Sequence, residues 1–386
     1  MRKICSLLVV FVLCCGVAQA RTWTNRDGKL IEAELLGVEG DMVKLQVGKK
    51  VYEIPLKSLS DADQEFLSEA DSSETQGAVS DSAVTASFAQ EWPRLVSTDL
   101  DLTITEETKD DGSFVYQSPH YAFHTKTRLG KSVVKRFAVL FEATREYVQR
   151  LPIASMKAQQ TKRYEIFLFD TDQEYYQAGG LEGSAGVYIG SKDVILVKCE
   201  SLGLIRRSNS WAVDYDRTNK TLPHEITHQL TDREYYERGA MGWFSEGMAE
   251  YVAITPYRSG KFMVNKVHSS VEEYVTGFSR KDRRGRNLGK DILMPSIKEY
   301  MLMSYGDFFA DAQTNYGVAA LLVTYFCHYD GEGDAARLKK FLAALKQGEK
   351  GEAALKFLLD GRSFSELEDE IFRAWKKRGV SLSFQS

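Results

Sequence analysis

The sequence predicts an α+β protein built from two folded parts. Short runs of alternating apolar and polar residues, separated by glycine-containing turns, fill residues 21–70 and predict a small β-barrel. From residue 91 strand-like segments come first, and after residue 220 the apolar spacing becomes almost entirely helical. We therefore expect a small mixed sheet followed by a helical carboxy-terminal half within residues 91–386.

The first twenty residues predict a secretory signal peptide, residues 1–20. Arg2 and Lys3 precede a mostly apolar run over residues 6–15, and residues 17–20 read VAQA, the small-x-small pattern of a cleavage site. The run is shorter than the ~20 apolar residues that a membrane-spanning helix needs. We expect an exported protein, periplasmic, surface-bound or released, without a membrane span once the signal is removed. A retained amino-terminal anchor is the alternative.

Cysteine content and charge narrow the class of protein further. Three of the five cysteines leave with the signal, so Cys199 and Cys327 allow at most one disulfide and the chain needs an ordinary apolar core. The net charge is −4, or −6 without the two basic residues of the signal, and we expect no nucleic-acid partner. The basic cluster Arg280–Arg286 is interpreted as a solvated loop, with an anion-binding patch as the alternative.

Residues 21–70 carry the signals of a self-contained unit. It closes with a capped helix start, in which Ser60 is the N-cap and Asp63 the third helical position. The opening RTWT and the closing PLKSLSDADQEFL resemble the Sla-type homology domain 1, a compact SH3-like barrel of exported bacterial proteins. The resemblance implies a binding or spacer module with a possible protein ligand and without catalytic residues.

Residues 71–90 are rich in small and polar residues and predict a flexible linker to the larger domain, residues 91–386. The elements that apolar spacing predicts before residue 220 are a strand at 121–124, a helix at 132–151, a buried strand at 164–169, a short helix at 171–177 and a hairpin of 187–189 with 194–197.

The stretch TLPHEITHQL carries two histidines one helical turn apart. Positions four apart project from nearly one face of a helix, so His224 and His228 can offer two imidazole nitrogens to one metal ion. Glu225 lies beside the first histidine, where a general base would stand. Pro223 suits a first helical turn, and we expect the helix to begin close to Thr221. The alternative is a pair of solvated histidines on an ordinary helix.

A third ligand is expected downstream, because catalytic zinc usually has three protein ligands and a water. Seventeen residues separate His228 from Glu246, on a second predicted helix that starts at Ser245 or its neighbour. We assign Glu246 as the third ligand of one Zn²⁺. Glu250, one turn along, is expected to accept the ring N–H of a ligating histidine, the alternative being an ordinary surface carboxylate.

The HEITH motif followed by WFSEGMAEY resembles the gluzincin metallopeptidases, a clan that includes thermolysin and the large zinc aminopeptidases, and within it a bacterial branch of the peptidase-MA kind. The resemblance implies a zincin-like domain that hydrolyses peptide bonds, with Glu225 as the general base. In the aminopeptidases a downstream tyrosine stabilises the oxyanion, and Tyr316 is assigned that role, with Tyr305 as the runner-up. The alternative is that Tyr316 only packs against or caps its helix.

Such folds place the edge strand that binds peptide just upstream of the zinc helix, at Gly186, Val187 and Tyr188. The sequence lacks the acidic exopeptidase signature there, so recognition of a free amino terminus is not supported.

The predicted function is therefore secreted, zinc-dependent peptidase activity on a peptide or protein substrate. The alternative is a non-catalytic exported scaffold that uses the amino-terminal barrel to bind a protein. The intact set of ligands and base favours the enzyme. The remaining histidines are interpreted as structural or exposed: His120, His124, His268 and His328.

Overall fold

The computed structural model combines sheets and helices, in agreement with the α+β prediction. The residues that it describes are 21–26, 29–39, 42–47, 50–60, 63–64, 91–153, 162–208, 210–214, 221–235, 241–277 and 285–385. The predicted signal peptide, residues 1–20, and the predicted linker, residues 71–90, lie outside the described residues. The chain divides into two compact units, Met1–Ser80 and Asp81–Ser386.

The first unit contains a four-stranded antiparallel sheet in the order β1-β2-β3-β4. Its strands are β1 (Arg21–Thr24), β2 (Leu30–Glu39), β3 (Met42–Val47) and β4 (Lys50–Pro55). Trp23 is buried, and its indole N–H donates to the carbonyl of Ala33 at 3.0 Å. Val43, Leu45 and Leu59 pack into the same small core.

The segment after β4 returns to the end of β1. Asn25 and Leu59 form an antiparallel bridge, and the Ser60 N–H donates to the Thr24 carbonyl at 2.8 Å. The predicted cap is confirmed, because the Asp63 N–H donates to Ser60 Oγ at 3.2 Å. The carboxylate of Asp63 accepts the Thr24 N–H in turn, so the cap also ties this segment to the first strand.

The second unit contains a six-stranded mixed sheet in the order β10-β11-β9-β8-β7-β6. Strands β8, β9 and β11 run parallel in its centre, and the outer pairs are antiparallel. The predicted hairpin is confirmed as β10 paired with β11. The strands of this unit are β5 (Val96–Ser97), β6 (Thr105–Thr108), β7 (Phe114–Gln117), β8 (Tyr121–Thr125), β9 (Tyr164–Phe169), β10 (Gly186–Ile189), β11 (Val194–Lys198), β12 (Leu204–Arg207), β13 (Ser210–Val213), β14 (Tyr257–Arg258), β15 (Lys261–Phe262), β16 (Asp291–Met294) and β17 (Ser381–Phe384).

Helices dominate the chain after residue 220, as predicted. The described α-helices are α1 (Lys131–Arg150), α2 (Asp172–Gln177), α3 (Thr221–Leu230), α4 (Gly242–Ile254), α5 (Val267–Thr276), α6 (Ile297–Leu302), α7 (Tyr305–Ala310), α8 (Ala312–His328), α9 (Ala336–Lys346), α10 (Gly351–Leu359) and α11 (Phe364–Lys376). Helix α1 covers one face of the sheet, where Phe137 and Phe141 pack edge-on against Phe123 of β8. None of the described helices has the length and apolar character needed to cross a bilayer.

Helices α4 and α8 cross in close contact at Gly247. A Cβ on that residue would lie 2.7 Å from the Ala319 carbonyl oxygen and 2.7 Å from a methyl of Val323, so only glycine permits this approach. Helix α4 begins at Gly242, earlier than the predicted start at Ser245 or its neighbour. No side chain caps the start of this helix. The Ser245 hydroxyl, in the first turn, donates to the Met241 carbonyl.

Cys199 and Cys327 are both free and buried, so the disulfide that the sequence left open is not formed in this structure.

Candidate metal centre

Helix α3 buries one face and presents the HEITH side chains on the other. Leu222, Ile226 and Leu230, spaced by four, are completely buried. The helix begins at Thr221, as the sequence predicted. The opposite face leaves the side chains of His224 and His228 about 12% exposed. The burial pattern of the helix thus turns both imidazoles toward the same space.

The structure brings the three predicted ligands together. The Nε2 atoms of His224 and His228 are 3.1 Å apart, and they lie 3.1 and 3.2 Å from Glu246 Oε2. Glu246 comes from the first turns of α4 and is only 4% exposed. Within the described part of the chain, these residues are the one group of three histidine, cysteine or acidic side chains whose donor atoms lie within 4.8 Å of one another.

The donor set fits a divalent cation. His224 Nδ1 lies 3.3 Å from Glu250 Oε1, so that a proton held on Nδ1 would leave the lone pair of Nε2 for a cation, facing the other donors. Three electron-rich atoms at such short separations repel one another unless a cation or a proton stands between them. Ligands about 2.0–2.1 Å from a tetrahedral zinc lie roughly 3.3 Å from each other, close to the separations seen here.

Burial and neighbouring charges shift the pKa values of Glu246 and His224. Burial raises the pKa of Glu246, but the adjacent His228 and His224 outweigh it and hold that pKa well below its usual range. Burial lowers the pKa of His224, but hydrogen bonds to Glu246 and Glu250 reverse the effect and raise it well above its usual range. Glu246 is therefore ionised, and a cation bound at this site would displace the proton that Glu246 and Glu250 stabilise on His224.

The side chain of Glu225 extends from α3 to the edge strand β10. Its Oε2 accepts the backbone N–H of Tyr188 at 3.0 Å. Burial raises the pKa of Glu225 above its usual range, and the neighbouring histidines only partly offset this rise. A carboxylate with a raised pKa beside a metal site is the arrangement that a general base requires.

Both tyrosines considered from the sequence reach the centre. Tyr305, on α7, donates its hydroxyl to Glu246 Oε1 at 2.8 Å. The ring of Tyr316, on α8, stacks along that of His224 with centroids 6.0 Å apart and an interplanar angle of 16°. Burial and the nearby Glu246 raise the pKa of both phenols, so both remain proton donors at neutral pH.

The segment assigned to substrate is an edge of the six-stranded sheet. Strand β10 pairs with β11 on one side, where Val187 lies opposite Leu196, and it is the last strand of the sheet on the other. Because ladder hydrogen bonds alternate, Gly186 and Tyr188 point their backbone groups away from β11. The Tyr188 N–H that meets Glu225 is one of these groups, so this edge faces the centre.

Arg286 corrects one interpretation made from the sequence. It was assigned to a solvated basic loop, but its guanidinium Nη2 lies 3.0 Å from Glu250 Oε1 and its Cζ lies 4.7 Å from the ring centroid of Tyr316. The side chain is only 20% exposed. The neighbouring part of the basic cluster, residues 280–284, lies outside the described residues. No local signal separates Arg286 from its basic neighbours, since its partners are far along the chain.

The remaining histidines contact other parts of the protein. His120 bonds the buried Glu142 at 2.7 Å, and His124 bonds Glu165 across neighbouring strands. His268 and His328 lie with ring centroids 4.6 Å apart. None of the four belongs to the candidate metal centre.

Comparisons with protein-family models, with curated proteins and with solved structures found no match. The case for a function therefore depends on the residues and geometry of this chain.

Proposed function

We propose that the protein is an exported single-zinc metallopeptidase that resembles the gluzincins. The observation that carries the proposal is the convergence of His224, His228 and Glu246 within 3.2 Å of one another, beside a partly buried Glu225 at the open edge of a sheet. A structural histidine pair needs neither a third converging donor nor an adjacent carboxylate on a strand edge.

The residues of the centre suit hydrolysis of a peptide bond. When bound, zinc lowers the pKa of water toward 7 and polarises a carbonyl group. Glu225, with its raised pKa, would take the proton of the attacking water and deliver it to the leaving amine. Its present hydrogen bond to the Tyr188 N–H keeps the carboxylate oriented toward the strand edge.

The two tyrosines are proposed to have different roles. Tyr305 donates to Oε1 of Glu246, the oxygen that does not face the imidazoles. This hydrogen bond would favour monodentate binding of a metal through Oε2. Tyr316 is then the phenol proposed to donate to the developing oxyanion. Its stacking along His224 supports that role, because the ring is held beside a ligand of the centre.

A peptide substrate would add to β10 as a further strand. Gly186 and Tyr188 offer their outward backbone groups, and Val187 lies between them. Main-chain pairing of this kind binds many sequences and gives no preference for a free terminus.

Residues 21–70 are proposed to form a Sla-type homology domain 1, an SH3-like barrel. The return of Leu59 and Ser60 to β1, together with the buried Trp23, supports closure of the sheet. Such a module would bind a protein or act as a spacer on the exported enzyme.

The proposal is tested by the Glu225→Gln variant of the purified protein. We expect about one zinc per chain in both proteins, and a loss of peptide hydrolysis by about 10²–10⁴-fold in the variant, measured on a peptide library by mass spectrometry. Glu234→Gln is the control, because Glu234 follows α3 with a side chain about half exposed, and it should retain full activity. Undiminished hydrolysis by Glu225→Gln would refute the mechanism, and zinc binding without turnover in the wild type would favour the scaffold.

A further inference from the structure

The guanidinium group of Arg286 contacts two residues that adjoin the candidate centre, Glu250 and Tyr316. Its Nη2 lies 3.0 Å from Glu250 Oε1, the oxygen that also faces His224 Nδ1 at 3.3 Å. Its Cζ lies over the ring of Tyr316 at 4.7 Å from the centroid. One side chain therefore links the support of a metal ligand to the phenol proposed as the oxyanion donor.

Two glycines, Gly317 and Gly285, allow the close packing around Arg286. A Cβ on Gly317, the residue after Tyr316, would lie 3.3 Å from Arg286 Cγ and 2.8 Å from a methyl of Leu288. A Cβ on Gly285 would lie 2.3 Å from the Tyr274 carbonyl oxygen. The Arg286 N–H donates to that same carbonyl at 2.8 Å, which fixes the backbone from which the side chain extends.

We propose that Arg286 is a positioning residue, which holds Glu250 behind His224 and keeps the Tyr316 ring beside the metal centre. This inference rests on the proposed zinc peptidase function. The guanidinium also reaches the Ala312 carbonyl at 3.4 Å and lies 5.8 Å from the ring centroid of Tyr274, and it acts on the centre through Glu250 and Tyr316.

The two contacts depend on different properties of arginine. The contact with Glu250 needs a positive donor, because this carboxylate is only 6% exposed and a buried anion requires compensation. The contact with Tyr316 needs the flat guanidinium plane, which stacks on an aromatic ring in a way that a lysine ammonium does not. Substitutions can therefore separate the two effects.

The test measures zinc affinity by competition with a chelator, and kcat and KM on one peptide, for the full chain. Arg286→Met should weaken zinc binding about tenfold, the lower end of the range for residues that orient a metal ligand. It should lower kcat about tenfold with KM within about twofold of the wild type, since Tyr316 loses its alignment. Arg286→Lys should restore zinc affinity while kcat stays low.

A double-mutant cycle with Tyr316→Phe tests the route of the effect. Tyr316→Phe keeps the ring and should bind zinc normally, while kcat falls. If Arg286 acts on kcat through Tyr316, the double variant Arg286→Met/Tyr316→Phe is no slower than the slower single variant. Arg378→Met is the matched control, because Arg378 lies over the ring of Tyr329 at the same 4.7 Å, and it should change neither quantity.

The outcomes separate this inference from the function on which it rests. A wild type that retains no zinc refutes both. An active, zinc-bound wild type with an Arg286→Met variant that behaves like Arg378→Met overturns the positioning role alone, as do effects on kcat that multiply in the double variant. Should Arg286→Met not fold, a normal kcat in Arg286→Lys would be the overturning result.

Discussion

Replacing Gly247 by alanine tests how the crossing of α4 and α8 positions the candidate metal ligand Glu246. The added Cβ would lie 2.7 Å from the Ala319 carbonyl oxygen, whereas ordinary contact begins at 3.4 Å. One of the two helices must then move by about 0.7 Å, the difference between these distances. Glu246 precedes the substituted residue on α4, so the shift reaches the carboxylate directly.

The expected magnitude combines two opposing effects. Crowding of a packed core costs about 1–3 kcal/mol. Alanine gains about 0.8–1.0 kcal/mol over glycine inside a helix. The free energy of unfolding should therefore fall by only about 0–2 kcal/mol. A movement of 0.7 Å is nevertheless larger than the ~0.2 Å tolerance of metal–ligand distances, so zinc affinity should fall at least about tenfold.

Thermal unfolding without metal and chelator competition for zinc measure the two quantities separately. Gly306→Ala is the control, because the nearest atom to its new Cβ is Ser304 Oγ at 3.8 Å, and neither quantity should decrease. A Gly247→Ala protein with the wild-type affinity for zinc would refute the argument that backbone contact with α8 sets the position of Glu246.

Two further predictions concern groups outside the centre. Burial lowers the pKa of His328 to about 3, and the charges of His268 and Arg378 contribute to this shift. Between pH 6.5 and pH 3 the imidazole of His328 is therefore protonated in the unfolded chain and neutral in the folded chain. The contribution of His328 to stability is therefore nearly complete at pH 7 and should fall by about 2 kcal/mol by pH 5. In urea unfolding, the wild type should lose more stability over this range than His328→Gln, whose amide can still pair with the Tyr251 hydroxyl. Burial also raises the pKa of the Cys199 and Cys327 thiols above the usual range, so iodoacetamide followed by peptide mapping should find both unmodified in the native protein and both alkylated after denaturation. Equal acid sensitivity of the two proteins, or rapid native alkylation, would contradict these statements.

The parts of the centre that follow helical geometry could be predicted from the sequence. His224 and His228 share a face because they are four residues apart, and the same spacing places Glu250 one turn beyond Glu246. The start of α3 followed from Pro223. The start of α4 was predicted at Ser245 or its neighbour, whereas the helix begins at Gly242, which the chain reaches through a left-handed residue, Met241.

The order of the sheet could not be predicted in the same way. Strand β9 lies between β8 and β11, which pair with it in parallel, and local alternation gives no information about such distant partners. The hairpin of β10 and β11 was predictable because its two strands are joined by a short turn. The edge position of β10 depends on the complete order, and therefore only the structure supplies it.

Arg286 shows why residues that position the candidate ligands are harder to predict from sequence than the ligands themselves. The two histidines lie within one helix, where their spacing alone determines a shared face, and Glu246 and Glu250 share a face of the next helix in the same way. Arg286 is 36 residues from Glu250 and lies on a different segment, so only the packing of α5, α4 and α8 brings the two together. The space that it fills exists because Gly317 has no side chain, and a glycine reveals nothing in sequence about what occupies the room it leaves. Spacing within a helix thus determines which side chains share a face, whereas contacts between distant segments determine how firmly the candidate ligands are held.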